Sequence, residues 1–356
     1  MSRASLTPSS QPVFYGFSFV HHGPHTAFHG LAAALQHSCR VIDATPHSFS
    51  WLPRVTAGRL RRKCLVMSEQ KLRPYFTGDN RTIHYFFPEN TLRKAADWKT
   101  RERLVLTLHQ PPDEMEAMRK NPHLDGFFRG VACADQIVVQ AQSQQPYFQE
   151  HYPDIPLACI PLGVATGHYK RKTPYRPPEG GTATILTVGN WMRDYETWAR
   201  TVAALRGRDR LAFRVIANRD TLDRIRGLFD RNIPDNVSLE FGLSDQALQQ
   251  AYEEAALFFL PLNDAMANDA LLEALSLGVP AIYTDLSATR DYAGEGTATF
   301  IPRGEPDAAA QAITDLLADP SRALAYSHLA RKRAEEHFDW QHVANAYRTC
   351  YAHDLT

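Results

Sequence analysis

Residues 261–285 read PLNDAMANDALLEALSLGVPAIYTD, and their reading decides the fold. An apolar strand ends at Pro261, a polar loop follows, and a helix opens near Asn268 or Asp269. Asn268 is a good N-cap, and the next backbone N–H groups, those of Ala270, Leu271 and Leu272 among them, lack partners at a helix start. Such donors and the helix dipole suit a diphosphate. Glu273 lies in the second turn, close enough to the opening to accept from ribose hydroxyls. Residues 277–280 end the helix and lead into the next strand. The plain alternative is an ordinary αβ unit with an exposed Glu273.

Working outward, apolar runs of strand length alternate with helical patterns along the whole chain, as in parallel βαβ units. Strands are expected at 13–20, 40–43, 64–67, 82–86, 104–108, 136–139 and 158–160. Residues 166–181, TGHYKRKTPYRPPEGG, are polar and rich in Pro and Gly, which reads as a linker. Alternation then resumes, with strands at 184–188, 212–216, 237–241, 257–260, 281–284 and 299–301, and helices from Pro306 onward. The chain has 356 residues, long for one core, so two domains are expected. They are placed at 1–170 and 181–339, with a linker at 171–180 and a closing helix at 340–356. Ligands of doubly wound sheets bind beyond the carboxyl ends of the strands, so the cleft between the domains is the expected site.

Lys plus Arg and Asp plus Glu both total 39, so no global field advertises a nucleic-acid partner. Basic residues crowd two stretches, Arg54–Arg73 and Arg93–Arg103. Each reads first as a solvated face, and second as a patch touching anionic lipid or an anionic acceptor. The five cysteines (Cys39, Cys64, Cys133, Cys159, Cys350) are scattered, without C-x-x-C spacing, as in reduced cytosolic proteins. No apolar run approaches the ~20 residues of a membrane span. The expected location is cytoplasmic, with peripheral membrane contact as an option.

The 261–285 string resembles the nucleotide-sugar-binding segment of family 4 glycosyltransferases, retaining enzymes of the GT-B fold. ILTVGN (185–190) is similar to the strand and turn that open that family's second domain. NVSLEFGLSDQALQQAYEEAALFFLPL (236–262) resembles the elements leading to the donor loop. FDWQHVANAYRTCY (338–351) looks like the closing helix, and IPLGVATGHY (160–169) like the end of the first domain. The resemblance implies an α/β chain of two doubly wound Rossmann-like domains facing across a cleft. It also implies a nucleoside-diphosphate sugar (UDP-, GDP- or dTDP-) as donor, a glycan or lipid-linked acceptor, and no obligatory metal.

Roles carry over residue by residue. Glu273 matches the second glutamate of the family's E-x7-E pattern, which holds the nucleotide ribose. Asn268 and the amides of Ala270, Leu271 and Leu272 fall where the family binds diphosphate or sugar. The first glutamate would stand at position 265, and this chain has Ala265; Asp264 would replace it only if the loop shifts by one residue. In GNWMRDYETW, Asn190 takes the place of the family's usual arginine, leaving Arg193 as the cation for the departing diphosphate, for which a guanidinium fork is well shaped. The base is expected against backbone near Leu243.

In the first domain, FVHHGPHTAFHGL (19–31) matches the family's first glycine-bearing loop. Gly23 would let the backbone approach the donor closely. His22 and His25, with His84 at a later strand end, are read as acceptor-pocket residues. For His84 a satisfied core histidine is an equal alternative. A metal reading of the His21–His29 cluster lacks a carboxylate or thiol partner. His109, closing the LTLHQPP strand (106–112), matches a histidine that touches the donor sugar. The catalytic set is therefore His109, Arg193 and Glu273. Retention, by resemblance, implies same-face attack with donor phosphate assisting proton removal and no enzyme nucleophile. Two alternatives stand: a non-catalytic nucleotide- or glycan-binding protein, kept alive by Ala265, and a sugar-nucleotide epimerase, which would want acid/base carboxylates.

Overall fold

The computed structural model describes residues 11–19, 23–46, 54–208 and 210–352. The chain divides into two compact units, Met1–Gly163 with Trp340–Thr356, and Val164–Asp339.

The first unit is built on β1 (Val13–Gly16), β2 (Arg40–Asp43), β3 (Thr82–Phe86), β4 (Arg103–Leu108), β5 (Gln136–Val139) and β6 (Leu157–Cys159). They form one parallel sheet in the order β2-β1-β3-β4-β5-β6. Every residue of β3 is buried, as is all of β4 after Arg103. Strands covered by helices on both faces need such continuous apolar runs. Sequential order reverses between β1 and β3, which makes that gap the topological switch point. The final helix, Trp340–Ala352, seats Trp340 where Gly30 and Gly163 have no side chain. An added Cβ would meet its ring at 2.2 Å and 2.4 Å respectively. The Trp340 indole N–H donates to the His25 carbonyl at 3.0 Å.

The second unit carries β7 (Ala183–Val188), β8 (Leu211–Ile216), β9 (Val237–Glu240), β10 (Leu257–Leu260), β11 (Ala281–Thr284) and β12 (Ala298–Ile301). The order is β12-β11-β10-β7-β8-β9, again all parallel, with the switch point between β7 and β10. The Tyr195–Ala204 helix starts at Asp194, whose carboxylate accepts from the Thr197 amide at 2.9 Å. Its Trp198 is fully buried among Phe213, Leu222 and Ile313. Truncating a side chain of that size costs ~3–5 kcal/mol.

Three expectations need correction. Residues 64–67 are not a strand: they continue the Arg54–Ser68 helix. Leu65 is buried while Met67 is 70% exposed, and Leu65, Ser68, Glu69 and Leu72 bury at helical spacing. A four-residue apolar run does not separate the two periods, and the third and fourth neighbours decided it. The strand expected at 13–20 ends at Gly16, where an added Cβ would lie 2.6 Å from Phe28. The polar stretch after 163 is not loose, because Tyr169 and Tyr175 are buried in the second unit. The Tyr175 hydroxyl donates to the Ala256 carbonyl at 2.9 Å, and the Tyr169 carbonyl accepts from Ser276 Oγ at 2.7 Å.

Candidate functional site

At the switch point of the second sheet, the chain leaves β7 and turns at Gly189 with φ of +109°. It then runs antiparallel to the loop that leaves β10, through a bridge between Arg193 and Leu262. The Asp194 amide donates to the Pro261 carbonyl at 3.0 Å, and the Asn263 amide to the Met192 carbonyl at 2.9 Å. This zipper brings Arg193 to the opening of the Asp269–Ser276 helix. Its Nε donates to the Val188 carbonyl, its Nη1 to the Trp191 carbonyl (both 2.9 Å), and its Nη2 to Asn268 Oδ1 at 3.2 Å. Burial pulls the Arg193 pKa below its ordinary value. A guanidinium has five N–H donors, so two remain for a ligand. Gly189 is obligatory on two counts. Its φ is one that side chains rarely adopt, and a Cβ there would stand 2.3 Å from Arg193 Nη2.

Asn268 caps the helix as expected, its Oδ1 accepting from the Leu271 amide at 3.2 Å. The Leu272 amide donates to the Asn268 carbonyl at 3.1 Å. Leu271 and Leu272 are therefore not the ligand donors expected from sequence, because the cap and the first helical bond take their N–H groups. The Ala270 amide stands ahead of that ladder. Ala265 is buried, and its amide donates to the Asp264 carboxylate at 2.7 Å. Asp264 is thus engaged within its own loop.

Glu273 is not exposed: 5% of it is accessible. The Tyr252 hydroxyl donates to Glu273 Oε2 at 2.9 Å, and Tyr169 makes a second side-chain hydrogen bond to the carboxyl. Burial, reinforced by the charge of Asp269, raises the carboxyl to a pKa of about 8 against those two bonds. Asn190 Oδ1 accepts from the Asn218 amide at 2.6 Å, joining the loops after β7 and β8. Leu243 lies half-buried in the loop that ends at the Ser244 cap. Sequence reading passed over two aromatics here, Trp191 and Phe241, which are 49% and 46% exposed. The Arg219 guanidinium sits 3.9 Å from the Phe241 ring centroid. Aromatics placed just past an expected strand were the available signal, and the structure adds that they are exposed.

In the first unit His22 lies outside the described residues. The Gly23 carbonyl accepts from Thr26 in the turn before the Ala27–Leu35 helix. His25 is half-buried, its carbonyl held by Trp340. His84 is a core residue, not an acceptor contact. It is fully buried, hydrogen-bonded to the Tyr351 hydroxyl at 2.6 Å and Thr107 Oγ1 at 2.7 Å, and stacked on Tyr347. Burial lowers its pKa to about 3. Its strand register, not its type, decided this: β3 lies between β1 and β4 with both faces covered. His109 packs against Phe86 and Phe87, centroids 4.7 and 4.1 Å away. Glu89 Oε1 accepts the His109 amide, and Glu89 Oε2 stands 3.9 Å from Nδ1. Among the described residues no three His, Cys, Asp or Glu side chains converge as a metal set, and no helix is long and apolar enough to cross a membrane.

Residues 182–319 match the family model described as glycosyl transferases group 1. A GDP-mannose:cellobiosyl-diphosphopolyprenol alpha-mannosyltransferase of Xanthomonas oryzae pv. oryzae (strain PXO99A) is 25% identical over 219 residues, which is 59% of this chain. The match spans 56% of the length of that relative. Sucrose-phosphate synthase from Thermosynechococcus elongatus superposes with a TM-score of 0.74 at 17% identity, covering 97% of this chain and 100% of the other. Anabaena Alr3699/HepE, solved with UDP-glucose, gives 0.69 at 13% identity, covering 95% and 98%. At such identities the structural likeness speaks for the fold, which is GT-B as expected.

Proposed function

We propose that the chain, which matches the glycosyl transferases group 1 model at 182–319, is a glycosyltransferase of the family 4 type that moves a hexosyl-type sugar from a nucleoside-diphosphate sugar to a hydroxyl of a glycan or lipid-linked acceptor. The carrying observation is the Gly189–Arg193–Asn268 arrangement at the β7/β10 switch point. A cation and a helix opening there can meet a leaving diphosphate without a metal, so none is proposed as obligatory. Two N–H groups of Arg193 and the Ala270 amide are the donors. A protonated carboxyl has one O–H donor and acceptor capacity besides, so Glu273, with two bonds from tyrosines, keeps capacity for ribose hydroxyls. Trp191 and Phe241 offer flat surface to a base. A neighbour was solved with UDP-glucose and a relative is named for GDP-mannose, which supports the donor class. Retention with same-face attack, and a role for His109 at the sugar, rest on the family resemblance. The cytoplasmic place rests on the scattered cysteines of the sequence, and the exposed Arg59, Lys63, Lys71 and Arg73 support peripheral contact with anionic lipid.

The test offers UDP-, GDP- and dTDP-sugars to the full chain and follows binding by calorimetry and release of free nucleotide. One of them should bind, with affinity lost in Arg193→Ala. A chain that binds none of them, or binds equally well after that substitution, sinks the reading. Ala265 favours a second reading, a transferase scaffold that binds without chemistry. Binding with no release, whatever acceptor is added, would select it.

A further inference from the structure

Beyond the carboxyl ends of β1, β3 and β4 the first unit contains a cavity of about 430 Å³. It lies at that sheet's own switch point, where doubly wound sheets take ligands. Ser18 comes from the segment after β1, Glu89 and Arg93 from the segment after β3, and Arg61 and Arg62 from the Arg54–Ser68 helix. Three guanidinium groups thus line the cavity with one carboxylate, whose Oε1 takes the His109 amide while Oε2 stands 3.9 Å from His109 Nδ1. Arg93 is held by design of the backbone around it. The buried Glu69 carboxylate accepts the amides of Arg93, Lys94 and Ala95. The Arg93 guanidinium spends one N–H on the Leu92 carbonyl and one on that of Glu89.

Three polar atoms of the lining are buried without a hydrogen-bond partner, Ser18 Oγ, Arg61 Nε and Glu89 Oε2. Ser18 is 4% exposed. A hydroxyl and a guanidinium N–H left so are costly unless a ligand completes them. One carboxylate would satisfy one fork, whereas three arginines and a hydroxyl match the several oxygens of a phosphate. We propose that this cavity binds a phosphate group carried by the acceptor. The word acceptor rests on the glycosyltransferase reading; the phosphate site rests on the cavity alone.

The full chain is titrated calorimetrically with glucose 6-phosphate, a free phosphorylated sugar, with geranyl diphosphate, a soluble stand-in for a lipid-linked headgroup, and with uncharged methyl glucoside. Nucleoside diphosphate is titrated separately, so that failure to bind nucleotide counts against the function and not against this site. At least one phosphate compound should bind in the presence of nucleoside diphosphate, and the better one identifies the source. Arg61→Gln/Arg62→Gln should weaken it about tenfold or more with nucleotide affinity and melting temperature unchanged. Arg62→Gln alone, at an exposed position, should weaken it less and guards against misfolding. Equal binding of methyl glucoside, no binding of either phosphate compound, or full affinity in the double variant would overturn the proposal.

Discussion

Arg193 Nη2 donates to Asn268 Oδ1 at 3.2 Å across 75 residues of chain. The cation that should meet the ligand is therefore tethered to the cap of the helix that should meet it as well. Neither can be moved without the other, and the first three predictions follow from this coupling.

Gly189→Ala should abolish nucleotide binding while leaving the chain folded. A side chain at φ of +109° is strained by ~1–3 kcal/mol, and its Cβ would displace the Arg193 guanidinium. Calorimetry should show at least a tenfold loss of affinity. Unchanged affinity would mean that Arg193 does not touch the ligand.

Arg193→Lys keeps the charge but cannot span the Val188 and Trp191 carbonyls and Asn268 together. Each charge-assisted bond is worth ~1.5–3 kcal/mol. Nucleotide affinity should fall about tenfold or more, with a measurable drop in melting temperature. Asn268→Ala should show both effects in weaker form, because the cap is lost too.

Glu273 links site and stability through pH. Its carboxyl is raised from 4.5 to about 8 by burial, so the native state holds a proton that the unfolded chain releases. That contribution is complete below pH 4.5 and is lost as pH rises through about 8. Glu273→Gln should remove this slope. The difference in melting temperature between variant and wild type should shift in favour of the variant between pH 5 and 9. Parallel curves would show that Glu273 is ionised throughout.

His84 carries the opposite sign. Burial depresses it from 6.5 to about 3, so its contribution is present above pH 6.5 and lost as pH falls toward 3. His84→Phe would strand the Tyr351 hydroxyl at a cost of ~1–3 kcal/mol, while Thr107 Oγ1 keeps its bond to the Tyr347 hydroxyl at 3.0 Å. It should flatten the acid limb of unfolding yet leave binding of any phosphorylated acceptor unchanged. A specific loss of that binding would restore His84 to an acceptor role.

Local signals carried far in this chain. The Asn268 cap, the Asp194 and Ser244 caps and the borders of β2, β3, β5, β10 and β11 all depend on residues within a few positions of one another. Turn chemistry and side-chain period are written at that range, so sequence alone determined two runs of alternating strands and helices and the helix that opens at Asp269. What it could not determine is what pairs across long separations. The four-residue run CLVM became helix because Leu72, Glu69 and Ser68 bury on the same face. The polar 166–181 stretch became part of the second unit because Tyr169 and Tyr175 found interior partners. His84 and Glu273 have the right residue types for binding, but the register of β3 made one a core residue, and two tyrosines from distant segments closed over the other. Arg193 was legible as a cation; that it is anchored to Asn268 was decided only when β7 and β10 came to lie side by side, since strand order is set by packing of whole layers and leaves no local mark.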